Sequence, residues 1–214
     1  MAGERIGILG SGDVGRALAA GVARHGWEAR VGTRSPGKVQ RWADGTEGVS
    51  VGSFAEAAGY GDVAVLAVRG DVVDAVLDLA GPERFAGRLV LDATNPLDFA
   101  GDGPPHLLFG ATDSLGERVQ ARLPDARVVK CFNTVSNAQM VDPEFADDTP
   151  PMFVCGDDPD AKARTEQILV ELGWPGAFDV GGIESARYLE ALVPLWVRVG
   201  AELDTWEHAF AVVR

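Results

Sequence analysis

Cysteine occurs only twice in these 214 residues, at Cys131 and Cys155, each inside an apolar run and with no C-x-x-C pairing. That excludes a disulfide scaffold and predicts two reduced core thiols in a cytoplasmic protein. Histidine is nearly as sparse. His25, His106 and His208 are scattered without metal-ligand spacing and form no convincing Ser-His-Asp or Cys-His set, so neither a resident metal nor a protein nucleophile is expected. No apolar run approaches the roughly 18 residues of a membrane span, and the charges of Glu4 and Arg5 interrupt any leader-like start. Lysine stands only at 38, 130 and 162, and 32 acidic residues against 19 Lys and Arg leave a formal charge of −13. Such a balance argues against non-specific binding to nucleic acid or to an anionic membrane. Repeats and low-complexity stretches are absent too.

What is present is glycine in a telling place. The apolar run Ile6 to Leu9 leads directly into Gly10-Ser11-Gly12-Asp13-Val14-Gly15, and a helical apolar pattern follows at Val14, Ala17, Leu18 and Val22. Strand, glycine turn and helix in succession form a dinucleotide fingerprint: one glycine for the tight turn, one for close approach to a pyrophosphate, one for helix packing. A second strand, Glu28 to Thr33, arrives after Gly26 at the spacing of a βαβ unit. Its end decides between the dinucleotides. An NAD site places Asp or Glu there to hold the ribose 2′-hydroxyl. Here the chain reads Thr33-Arg34-Ser35, with Arg30, Lys38 and Arg41 nearby and no carboxylate between Glu28 and Asp44. In so acidic a protein that basic island fits the 2′-phosphate of NADP, forked by Arg34. A solvated basic helix face is the plainer alternative.

The rest of the chain continues the alternation. Asp62 to Val68 and Arg88 to Asp92 are buried-strand runs, as is Ala126 to Phe132. Ser53 caps a helix with Glu56 three residues on, and the spacing predicts further helices over 71–80, 114–123 and 160–172. Together these imply an α/β, Rossmann-type doubly wound and mostly parallel sheet. Residues 1–180 are expected to form the nucleotide-binding domain with appended strands at 152–155 and 177–180. Residues 181–214 are expected to form a C-terminal helical element, helical from Glu184 to Val212 and bent at Pro194, that covers the active-site edge or a second subunit. Residues 100–106 read as a polar loop. Ligands of such sheets lie beyond the carboxyl ends of the strands, which points to Val68, Arg69, Thr94, Asn95 and the polar group from Asn133 to Asn137.

With those motifs placed, the chain resembles the coenzyme F420-dependent NADP oxidoreductases and the cytosolic reductase domain of the six-transmembrane epithelial ferric reductases. The likeness rests on the glycine loop, on Val31-Gly32-Thr33-Arg34-Ser35, Thr94-Asn95-Pro96, Lys130-Cys131-Phe132-Asn133-Thr134 and Val154-Cys155-Gly156-Asp157-Asp158. Beyond these it takes in Asp179-Val180-Gly181 through Arg187, Glu190 and Pro194. The resemblance implies NADP(H) and a deazaflavin, coenzyme F420, stacked for direct hydride transfer, with no acid or base from the protein. Thr33, Arg34, Ser35 and Lys38 would hold the 2′-phosphate, while Val68, Arg69, Asn95 and Pro96 would line the nicotinamide. Asn133 and Thr134 would face the acceptor, with Arg69 and Arg187 candidates for its acidic tail. Archaeal members carry His where Asn133 stands and the ferric-reductase domains carry Asn, so a flavin is the alternative acceptor. A homodimer through the C-terminal helix is expected. A β-hydroxyacid or imine reductase is disfavoured, because no lysine follows Asp179; a module that binds NADPH without turnover is the reading from another class.

Overall fold

The computed structural model of the protein describes residues 4–98, 105–110, 112–146 and 148–213. The first half alternates β1 (Arg5–Leu9), α1 (Asp13–Arg24), β2 (Glu28–Gly32), α2 (Pro36–Asp44), β3 (Val49–Gly52), α3 (Phe54–Ala58), β4 (Val63–Leu66), α4 (Val73–Ala80) and β5 (Leu89–Asp92). The second half runs β6 (Leu97–Asp98), β7 (His106–Leu107), α5 (Leu115–Arg122), β8 (Arg127–Lys130), β9 (Met152–Val154), α6 (Pro159–Glu171), β10 (Ala177–Asp179) and α7 (Ala186–Leu203). Six strands form one sheet in the order β3-β2-β1-β4-β5-β8, every pair parallel. This is a Rossmann sheet, and the order reverses between β1 and β4, where such folds open a crevice.

Alternation along each strand explains the two cores. Ile6, Ile8, Val63, Val65, Leu89, Leu91 and Val129 face α1 and α6, whose Leu18, Val22, Ile168 and Leu169 complete one apolar layer. Leu9, Ala64, Leu66, Val90 and Val128 face the other way, against Phe54 of α3, Val76 and Leu77 of α4 and Val119 of α5. Register aligns the strand ends: Leu9 pairs with Gly32 and Leu66, Leu66 with Asp92, and Asp92 with Lys130. One row of residues thus marks the carboxyl edge, and the loops leaving it build the site.

The appended strands are present, and two other expectations, on the loop before His106 and on the last helix, are corrected. β9 and β10 form their own two-stranded parallel sheet, which an antiparallel bridge between Lys130 and Cys155 joins to the main one. His106 belongs to β7, which pairs antiparallel with β6, instead of ending a loop; positions 100–104 of that loop lie outside the described residues. The last helix runs through Pro194 but stops at Leu203, where Asp204 takes φ +52°, and the residues after it are not helical. Trp196 Nε1 donates to the His208 carbonyl, His208 Nε2 lies 3.0 Å from the Trp196 carbonyl, and the two rings stack at 4.7 Å. The tail therefore folds back as an apolar strap along the helix it was expected to extend.

Candidate functional site

The glycine loop leaves β1 with Gly10 at φ +136°, a backbone region that disfavours any side chain with a Cβ. Gly15 sits so close to the Gly10 carbonyl that a Cβ there would collide with it, whereas a Cβ on Gly12 would meet nothing within 4 Å. Gly12 caps α1 without any side-chain hydrogen bond, so the N-terminal N–H groups of a 12-residue helix face open space. That space is a cleft of 690 Å³, lined by Gly10 to Val14, Arg34, Ala67 to Val72, Ala93, Asn95 and Leu97. Its size and position suit a dinucleotide.

At one end of the cleft, Arg34 is exposed and reaches its wall, with Ser35 and Lys38 exposed beside it at the start of α2. Thr33 is buried. Its hydroxyl oxygen accepts from Ser11 Oγ at 3.1 Å and from the Ser35 N–H at 3.3 Å, which ties the glycine loop to the end of β2. Arg16 adds a second tie, donating to the Ser11 carbonyl while its guanidinium lies 5.5 Å from the Trp42 ring. Val68 and Arg69 line the cleft after β4, and Arg69 is paired with Asp71 at 3.0 and 2.5 Å.

The opposite end is built by the loops after β5 and β8. Asn95 Nδ2 donates to the Asn133 carbonyl at 2.8 Å, and Asn133 Nδ2 donates to Asn95 Oδ1 at 3.2 Å and to the Leu189 carbonyl of α7 at 2.9 Å. Phe132, fully buried at φ +62°, makes the turn that brings Asn133 back to Asn95. Asn133 and Thr134 are each 4% exposed, so both are packed inside the protein at this edge. Pro96 and Arg187 meet elsewhere, around a small cavity of 60 Å³. There Arg187 grips Glu117 through Nε at 2.7 Å and Nη2 at 2.5 Å, and that guanidinium, helped by Ser114 and opposed by desolvation, holds the Glu117 carboxyl below its usual range.

Sequence patterning gave no sign of the group beneath this edge. Lys130 Nζ lies 2.8 Å from Asp92 Oδ2 and 2.8 Å from Glu190 Oε1, with all three side chains buried. Asp92 and Lys130 are register partners on one face of the sheet, which accounts for their meeting. Asp92 Oδ1 accepts from the Thr94 N–H and hydroxyl, and the Glu190 carboxylate accepts from the N–H groups of Leu115 and Gly116 at the start of α5. Burial opposes the charge on Lys130, but the two carboxylates outweigh it and keep the ammonium above the usual lysine range. Breaking such a set by removing one partner costs about 3–5 kcal/mol. Nearby, burial pushes the Cys155 thiol up to about 12 and Cys131 well above the usual thiol range, which makes both poor nucleophiles at neutral pH.

A second hollow of 710 Å³ opens past Asn133, walled by Val135 to Ala138 on one side and by Trp196 and residues 204–207 on the other. Trp206 packs over Gly200 and against Trp196, with ring centroids 5.7 Å apart. Asn95 lines the first cleft and Val135, two residues beyond its partner Asn133, lines the second. A hollow walled by two tryptophans among polar and acidic side chains can hold a second flat ring, and its tryptophans escaped sequence reasoning because they read as part of a continuous helix.

Residues 5–96 match the family described as NADP oxidoreductase coenzyme F420-dependent. The chain is 30% identical over 205 residues to the F420-dependent NADP reductase of Methanocaldococcus jannaschii, covering 90% of this chain and 91% of that protein. It is 29% identical over 197 residues to the metalloreductase STEAP3 of Rattus norvegicus, covering 90% of this chain and 38% of that larger protein. Among solved structures, a protein of Arthrobacter sp. FB24 provisionally named an F420-dependent NADP-reductase aligns with TM-score 0.95 at 38% identity, over 99% of this chain and 100% of that one. An imine reductase of Aspergillus terreus aligns with TM-score 0.69 at 17% identity, over 95% of this chain and 64% of that one, and shares the fold.

Proposed function

Because the chain belongs to the family of coenzyme F420-dependent NADP oxidoreductases, we propose that it passes hydride directly between NADP(H) and a deazaflavin, coenzyme F420. That it is an NADP-dependent oxidoreductase follows from the family. The choice of F420 and of direct ring-to-ring transfer is supported by one observation above the others: a nucleotide cleft lined by Asn95, and a tryptophan-walled hollow whose wall begins two residues after its bonding partner Asn133.

The nucleotide supplies a hydride when bound, and the protein supplies its placement. Gly10 to Val14 and the α1 N-terminus would take the pyrophosphate, and Arg34 with Ser35 and Lys38 the 2′-phosphate. Thr33 would hold the loop between them. Asn95, Val68 and Arg69 would border the nicotinamide, with Thr94 and Asn133 fixing Asn95 from behind. Val135, Ser136, Trp196 and Trp206 would enclose the acceptor ring. Bringing two rings to about 3–3.5 Å and excluding water accounts for most of the rate such a site can give.

A flavin is the second reading, because FMN brings less negative charge to an acidic hollow than F420 with its acidic tail. Among the described residues its wall carries Asp204 and Glu207 and no cation, while Arg69 and Arg187, the candidates for an acidic tail, are already paired with Asp71 and Glu117. Anaerobic mixing with NADPH and following the absorbance of F420 and of FMN separates the two. Faster loss at the deazaflavin band supports the first reading, and faster loss at the flavin band the second.

Among the described residues no helix is long and apolar enough to cross a membrane; the two free, buried cysteines fit a reducing compartment, and on that ground we propose the cytoplasm. The outward face of α7 exposes Tyr188 and Leu195 by 69% and 53%, a surface suited to a second copy in a homodimer. Light scattering at micromolar concentration tests that assignment, with a monomeric mass counting against it.

A further inference from the structure

The buried charges and the asparagine pair are parts of one closed path. From Asn95 it passes through reciprocal bonds to Asn133, from Asn133 Nδ2 to the Leu189 carbonyl, and to the next residue of α7, Glu190. From Glu190 it goes to Lys130 Nζ, to Asp92 Oδ2, and through Asp92 Oδ1 to the N–H and hydroxyl of Thr94, which is bonded to Asn95. Three elements are locked by it: the ends of β5 and β8, and α7. The same α7 carries Trp196 into the second hollow, six residues and about 9 Å of helix beyond Glu190.

We propose that this circuit sets the spacing between the nucleotide cleft and the second hollow, with Lys130 and Glu190 as positioning residues for hydride transfer. The inference rests on the assignment of the two hollows to the two redox partners. Apolar side chains of similar volume would pack here at equal or greater stability, but a helix on a smooth apolar surface can slide. Glu190 cannot, because its carboxylate is fixed by Lys130 on one side and by two α5 N–H groups on the other. Lys130 in turn is held by sheet register opposite Asp92.

The test uses the full chain carrying Glu190→Gln, Asn133→Ala, or both; these two side chains do not bond to one another. NADPH affinity is measured by fluorescence titration, and hydride transfer in a single turnover, well below each variant's melting temperature. Glu190→Gln is expected to leave the NADPH Kd within about 2-fold and to slow transfer by about 10- to 100-fold, the effect of a displaced reactant. The double variant is expected to be little slower than the slower single one, as for two cuts in one circuit. A readout independent of any acceptor is the tryptophan-to-NADPH energy transfer that disappears in Trp206→Phe, which should weaken in Glu190→Gln. If Glu190→Gln does not fold, the neutral set Asp92→Asn, Lys130→Met, Glu190→Gln replaces it under the same criteria. An unchanged transfer rate in a folded variant, a matching loss of NADPH affinity, or two slowings that simply multiply would overturn the proposal. Should the unaltered protein reduce neither F420 nor FMN, the functional reading falls, and the energy-transfer arm still decides this one.

Discussion

Gly15 packs against the carbonyl of Gly10 with no room for a Cβ, whereas Gly12, midway between them, has open space where its side chain would be. The three glycines of one motif therefore do different work. Gly12→Ala is expected to keep the wild-type melting temperature and to lose NADPH binding by about tenfold or more, since a methyl group would occupy the approach to the helix N-terminus. Gly15→Ala should instead lower the melting temperature. Thermal denaturation beside NADPH titration checks both, and a destabilised Gly12→Ala with intact binding would contradict the placement of the nucleotide.

Arg34 tests the choice of dinucleotide. A charge-assisted hydrogen bond to a phosphate contributes about 1.5–3 kcal/mol, so Arg34→Ala should weaken NADPH binding by about 10- to 100-fold. NADH lacks the phosphate, and its affinity should stay within about 2-fold. Equal losses for both would refute the assignment.

Trp206 belongs to the other hollow. Trp206→Ala is expected to raise the KM for the acceptor by about tenfold and to leave the NADPH Kd unchanged, because aromatic stacking is worth about 0.5–1.5 kcal/mol beyond the area it buries. Steady-state kinetics at saturating NADPH measures it. A rise in the NADPH Kd instead would mean that the strap serves the nucleotide cleft.

The Glu117–Arg187 pair gives a pH signature. Arg187 lowers the folded-state pKa of Glu117 below its ordinary 4.5, so its contribution to stability is present above that value and lost as pH falls through the lower, folded one. Comparing wild type with Glu117→Gln from pH 7 to pH 3 should show a melting-temperature gap that is largest above about pH 5 and closes in acid. A gap independent of pH would remove the ion pair from the explanation.

Local signals made much of this fold legible. The glycine spacing placed β1, α1 and β2, and Ser53 with Glu56 forms the capping box that its spacing announced. Continuous apolar runs located the buried parallel strands to within one or two residues. What stayed hidden depends on distance along the chain. Lys130 and Glu190 are sixty residues apart, and each reads locally as a single charge in an apolar run. The strap after Leu203 kept an apolar pattern compatible with a longer helix, and the turn at Asp204 with the contacts of Trp206 and His208 on Trp196 distinguishes a returning segment from a continuing one. Arg187, read as facing the acceptor, is engaged by Glu117 on α5, a pairing that no local pattern encodes.

Direct passage of hydride from nicotinamide to ring carbon is best tested with NADPH deuterated at the transferred position of C4. On mixing with F420 and the enzyme, the reduced deazaflavin should carry one deuterium per molecule on its ring carbon, where it does not exchange with water. Reduced F420 that forms without the label, or no reduction of F420 while FMN is reduced, would contradict the assignment.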